Sequence, residues 1–229
     1  MVRFNSRVDE ILAPPAENPR DIYKEWVDSI DFERALHFGS GRDRHELGQQ
    51  LERKGKVVAL DPDTNGLKQN KTMTKITGDG QRLPFADEKF DLVFSEYVFE
   101  HLPYPSAALA EIDRVLRPGG SFVVLIPNPS HYYARIADLT PFWFHQLWFK
   151  FQGVEDHEED RFPTQYKWGT YSDITSVERW ELERLTSFPG PTGYTTILPI
   201  HILFTLYDRV MANRPENHVS YLIQYRVPS

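Results

Sequence analysis

From Arg34 to Ile126 the chain alternates short β-type runs with helical runs, and this alternation constrains the fold more than any other feature. Ala35–Phe38, Lys56–Leu60, Thr72–Thr77, Phe90–Ser95 and Ser121–Ile126 read as strands. The Leu92-Val93-Phe94 run has no polar alternation, as expected of a strand covered on both faces. Arg42–Lys54 and Ser106–Leu116 read as helices, the second with Leu109, Ile112, Val115 and Leu116 on one face. Arg117-Pro118-Gly119-Gly120 reads as a stop and turn, because proline and paired glycines do not continue a helix. Strand, helix, strand repeated in this way predicts a parallel sheet with helices on both faces.

The rest of the 229 residues is arranged around that core as one domain. Residues 1–33 form a lead-in, with Ile22, Trp26, Val27 and Ile30 at helical spacing in Arg20–Ile30. Residues 34–127 are the core. Residues 128–171 depart from the pattern and read as a cap rich in aromatics, histidines and acids. Residues 172–229 close the fold with Val177–Thr186, a helix at His201–Met211 and an alternating strand at Val219–Val227. The net charge of −7, with no basic stripe, argues against nucleic acid as a partner. There are no cysteines, hence no disulfides or thiolate chemistry. No His/Asp/Glu spacing reads as a metal site. Met1–Pro15 does not read as a secretory signal, and no run reaches the ~18 apolar residues of a membrane span. A cytoplasmic protein is expected.

His37-Phe38-Gly39-Ser40-Gly41 lies between a strand and a helix. Glycines there let the backbone approach a ligand closely, and the helix start offers free N–H groups. Asp61 ends the next strand, where a carboxylate can accept hydrogen bonds from ribose hydroxyls. Taken alone, these residues equally fit a tight turn and a helix cap. The dinucleotide version of the motif requires a third glycine where this chain has Arg44, which counts against a nicotinamide-dependent oxidoreductase.

Gly78-Asp79-Gly80-Gln81-Arg82-Leu83-Pro84-Phe85-Ala86-Asp87-Glu88-Lys89-Phe90-Asp91-Leu92-Val93 is followed by Glu100-His101-Leu102 and by Leu116-Arg117-Pro118-Gly119-Gly120. With the glycine loop, these motifs over Arg34–Asn128 resemble the class I methyltransferases of the common small-molecule type. The resemblance implies a doubly wound, Rossmann-like sheet of seven strands, mostly parallel with an antiparallel last strand. It implies S-adenosylmethionine as cofactor, held by His37, Gly39, Ser40, Gly41, Asp61, Pro62, Asp79, Gly80, Gln81, Ser95 and Glu96. Asp79 and the Gly80 N–H would meet the adenine, and Ser95, Glu96 and Tyr97 would border the methionine part. His37 departs from the family pattern, which has an acid at that place facing the cofactor's amino group. That contact is then lost or replaced.

Methyl transfer to a hydroxyl benefits from a general base. Two histidines are candidates: His131, after the Pro127-Asn128-Pro129 turn, and His101, which equally fits a buried structural residue. The aromatics from Tyr132 to Phe151 would wall an acceptor pocket or touch a membrane surface, and some of them form the cap's own core. This insert loosely resembles methyltransferases of surface-polysaccharide and lipid-linked glycan pathways. The expected function is transfer of a methyl group to an O or N atom of a small-molecule, glycan or lipid-linked acceptor. A non-catalytic methyltransferase-like binding protein is the alternative that His37 keeps open.

Overall fold

A computed structural model describes residues 13, 17–140, 163–190 and 197–229. The first element is α1, Pro19–Ser29, which opens at proline with the Asn18 side chain accepting from Arg20 N. It leads into β1, Arg34–Phe38; α2, Leu47–Leu51; β2, Lys56–Asp61; α3, Thr64–Gln69; β3, Thr74–Thr77; and β4, Phe90–Glu96. A single 3-10 turn, Phe99–His101, precedes α4, Pro105–Val115, and β5, Leu116–Pro127. Then come α5, Tyr132–Leu139; α6, Tyr171–Thr175; β6, Glu181–Phe188; α7, Leu198–Met211; and β7, Ser220–Arg226.

The seven strands form one sheet in the order β3-β2-β1-β4-β5-β7-β6. β1 pairs in parallel with β2 and β4, β2 with β3, and β4 with β5. β7 runs antiparallel to both β5 and β6. The expected doubly wound sheet with an antiparallel last strand is therefore the observed one. Each face carries its own core. α4, α6 and Trp180 cover one side, through Ile112, Val115 and Ile174 against Val93, Phe122 and Val124. α1 and α2 cover the other, through Tyr23, Val27 and Leu51 against Ala35, Leu92 and Val123.

Two local expectations are corrected. The predicted helix over Arg42–Lys54 shrinks to Leu47–Leu51. Asp43 and Glu46 have φ of 44° and 55°, which breaks the helical path. The Asp43 carboxylate accepts from Leu47 N at 3.0 Å and Gly48 N at 2.7 Å, so the helix starts where those orphan donors are satisfied. Arg117–Gly120 is not a turn between elements but part of β5. The register with β4 passes from Phe90↔Leu116 to Leu92↔Ser121, so the extra residues form a bulge within the strand. The strand continues because Gly119 N bonds Val227 O and Val227 N bonds Gly120 O. α3 and α6 carry no expectation from the sequence; both are short, and side-chain caps at Asp63 and Thr170 define them.

Candidate active site

Strand order reverses between β1 and β4, and their carboxyl ends diverge there. In open α/β sheets this switch point leaves a crevice for ligands. A cleft of about 710 Å³ occupies it, bounded by the loops after β1, β2, β3 and β4.

The loop after β1 folds over the end of β2, with the N–H groups of Gly39 and Ser40 both donating to Leu60 O, at 2.9 and 3.0 Å. Gly39 has φ 68°, and a Cβ there would collide with the Val98 side chain, so the loop needs glycine on two counts. Asp61 then locks the loop. Its Oδ2 accepts from Gly41 N at 2.8 Å and its Oδ1 from Asp63 N at 2.7 Å. Asn70 Nδ2 holds the Gly41 carbonyl from the other side at 3.0 Å. Burial raises the Asp61 pKa, and the two N–H bonds oppose that rise. Each carboxylate oxygen keeps a further lone pair for an incoming hydroxyl. Asp61→Ala is expected to weaken cofactor binding by about 1–3 kcal/mol, since it removes an acceptor and unties Gly41. Calorimetric titration with S-adenosylhomocysteine measures this, and an unchanged affinity removes Asp61 from the site.

Beyond β3, Asp79 is exposed at the mouth. Its Oδ1 accepts from Gln81 N at 2.9 Å and Gln81 Nε2 at 3.1 Å. Gln81 Oε1 in turn accepts from Tyr104 N at 3.0 Å, which ties this wall to the start of α4. At the floor, His37 is buried and stacks on Phe94 with ring centroids 4.4 Å apart. Burial lowers its pKa, against the opposing pull of Asp43, Glu96 and Asp61. The imidazole is held neutral.

The structure brings His37, Gly39, Ser40, Gly41, Asp61, Pro62, Asp79, Gly80, Gln81 and Glu96 together along this cleft, with His101 at its far end. Ser95 lies outside the lining, fully buried beneath it. His131 is elsewhere. It is buried, caps α5 by accepting from Tyr133 N, and sits 3.5 Å from Asp208 Oδ1 on α7. Its ring packs on Tyr132, which meets Phe204 of α7 at a tilt and Tyr207 edge-on. The apolar packing of α5 against α7 decides that placement. Phe142, Trp143, Phe144, His145, Trp148, Phe149, Phe151 and His157 of the cap lie outside the described residues.

Sequence reasoning missed Arg20 of α1, and Pro163 and Gln165 of the returning chain, all of which line the cleft. Gln165 N and Tyr166 N donate to the Glu100 carbonyl at 2.6 and 3.1 Å. Lys167 Nζ reaches Pro103 O at 3.0 Å. No periodicity or motif signals contacts across more than 60 residues of chain.

The residues fit a nucleoside carrying an amino-acid tail. His37 Nδ1, Ser40 Oγ, Ser95 Oγ and Tyr23 Oη are buried at or under the cleft floor with no hydrogen-bond partner among the described residues. Buried polar atoms of this kind are rare unless a site uses them. Gly80 presents bare backbone where a Cβ would collide with the Phe38 ring.

A doubly wound sheet with an antiparallel β7, a glycine loop after β1 and acids after β2 and β3 defines the class I methyltransferase architecture. Residues 36–124 match the model of the methyltransferase domain family. The chain is 28% identical over 154 residues to a demethylmenaquinone methyltransferase of Staphylococcus saprophyticus, covering 63% of each chain. It is 44% identical over 59 residues to the ubiquinone/menaquinone biosynthesis C-methyltransferase UbiE of Roseobacter denitrificans, covering 24% of each. The chain thus spans less than two thirds of the length of either relative. Among solved structures, the PH0226 protein of Pyrococcus horikoshii superposes with a TM-score of 0.58 at 16% identity, over 98% of this chain and 91% of that one.

Proposed function

We propose that this protein transfers the methyl group of S-adenosylmethionine to an oxygen or nitrogen atom of a small-molecule, glycan or lipid-linked acceptor. In this reading the ten lining positions from His37 to Glu96 hold the cofactor, and Ser95 supports them from below. The bound cofactor supplies an activated methyl on a sulfonium, so the protein's work is positioning and proton handling. The acceptor would sit at the end of the cleft formed by Tyr97, Val98, His101, Leu102 and Pro163.

The observation that carries this reading is the setting of His101. Its Nδ1 lies 3.1 Å from the Pro163 carbonyl. A carbonyl only accepts, so Nδ1 carries the proton and Nε2 is the basic nitrogen. The side chain is 28% exposed and lines the cleft. A base in that position suits a hydroxyl, whose proton must leave as the carbon–oxygen bond forms. His101→Gln is expected to lower kcat by about 100-fold or more while leaving S-adenosylhomocysteine affinity unchanged. Release of S-adenosylhomocysteine with panels of hydroxyl, amine and carbon acceptors tests the whole reading. No turnover together with tight cofactor binding would favour the non-catalytic alternative, and binding of a nicotinamide dinucleotide would overturn the assignment.

A carbon acceptor is the second reading. It is favoured by the Roseobacter relative, a C-methyltransferase of ubiquinone/menaquinone biosynthesis. A base also serves there, by removing the proton from the methylated carbon. The acceptor panel separates the two. Among the described residues no helix is long and apolar enough to cross a membrane, and no group of three His, Cys, Asp or Glu side chains could hold a metal ion.

A further inference from the structure

The wall of the cleft beside His37 is completed by α1, which lies outside the segment that matches the methyltransferase domain. Two opposite charges meet there. Arg20, in the first turn of α1, pairs through Nε with the carboxylate of Glu96, the last residue of β4. The Arg20 guanidinium also lies over the Tyr97 ring, 5.3 Å from its centroid. Arg20, Glu96, Tyr97 and His37 all line the cleft.

Three further observations set this corner apart. First, α1 is rigid here: Tyr23 and Val27 have no exposed surface, so Arg20 is carried on a docked element and not on a loose arm. Second, Tyr97 has φ 52°, a left-handed conformation that costs a bulky residue energy and concentrates at ligand sites. Third, the carboxylates around His37 are not equally available. Asp43 is committed to Leu47 N and Gly48 N, and Asp61 to Gly41 N and Asp63 N. Glu96 is held by Arg20.

The amino-acid end of S-adenosylmethionine is a zwitterion with one carboxylate and one ammonium. Arg20 and Glu96 carry the complementary charges on facing elements. We propose that the Arg20–Glu96 pair is the clamp for that end of the cofactor, with the guanidinium taking its carboxylate and Glu96 taking its ammonium. One ion pair is exchanged for two, and the Arg20 side chain is half-exposed, so its end of the pair opens at little cost. Position 37 holds a buried histidine, and the negative charge at this corner is then provided from β4. This clamp rests on the cofactor reading given above.

The test compares two ligands that differ only at the amino-acid end. Calorimetry measures S-adenosylhomocysteine and 5′-methylthioadenosine, which lacks the zwitterion, on the wild-type protein, Arg20→Met and Glu96→Gln. Each substitution is expected to weaken S-adenosylhomocysteine roughly 10- to 100-fold, the scale of a lost charge-assisted hydrogen bond, and to leave methylthioadenosine within about twofold. Thermal melting of each variant checks the fold, and Arg20→Lys should recover part of the loss. Equal weakening of both ligands, or unchanged S-adenosylhomocysteine affinity in both variants, overturns the clamp and leaves the cofactor assignment standing. A folded wild-type protein that binds neither ligand overturns the cofactor reading itself, and the clamp with it.

Discussion

His37→Asp is expected to destabilise the protein by roughly 3–5 kcal/mol at pH 8. The side chain at position 37 is buried against Phe94, and the nearby charges are Asp43, Asp61 and Glu96, all of the same sign. A carboxylate placed there is buried beside three acidic side chains, so its folded-state pKa rises. The pH dependence then has opposite signs in the two proteins. In the wild type, burial depresses the His37 pKa, so the unfolded chain binds the proton more readily, and stability falls as pH drops below about 6.5. In the variant, the raised aspartate pKa makes stability fall as pH rises above about 4. Urea unfolding at pH 5 and pH 8 measures both. A variant as stable as the wild type at pH 8 would show that a cation or solvent reaches position 37. The wild-type affinity for cofactor should not fall through the ordinary histidine range, because burial keeps the ring neutral there.

Glu100→Gln is expected to act in the other direction. Glu100 is buried, its Oε2 has no partner among the described residues, and burial pushes its pKa up to about 8, with Glu96 adding to the rise. A carboxyl whose folded pKa is raised contributes its full stability below its unfolded value and loses it as pH rises from about 4.5 to about 8. The neutral amide avoids that loss. Chemical denaturation should show the variant more stable by ~3–5 kcal/mol at pH 8 and by almost nothing at pH 4. An equal gain at both pH values would point to packing instead of charge. The same burial bears on His101, whose Nε2 is 3.9 Å from Glu100 Oε1. Burial favours the neutral form of Glu100, and the Pro163 carbonyl, 3.1 Å from Nδ1, orients the imidazole.

The amino-acid sequence by itself determined the sheet and the cofactor edge. Apolar runs such as Leu92-Val93-Phe94 are local and unambiguous, and the glycine loop, Asp61 and the Gly78–Val93 segment each sit at a strand end. In a doubly wound sheet every parallel strand delivers its carboxyl end to the same edge, so placing motifs along the chain also places them in space. Position 37 was legible as a departure in the same way. Its consequence was not, because the pKa of a buried histidine depends on desolvation and on charges at Asp43, Asp61 and Glu96, which come from three different loops and strands.

Only the tertiary structure separates His101 from His131 in space. Both follow the carboxyl end of a parallel strand. One is held at the cleft by Pro163, 62 residues further along. The other is drawn into the contact between α5 and α7 beside Asp208. Arg20 belongs with them: a charged residue at the start of a lead-in helix shows nothing in sequence, and it reaches Glu96 across 76 positions. Local patterns encode elements because hydrophobic periodicity is a property of neighbours in the chain. Side-chain partners at the site are set by how elements pack, and that is fixed by burial summed over the whole core.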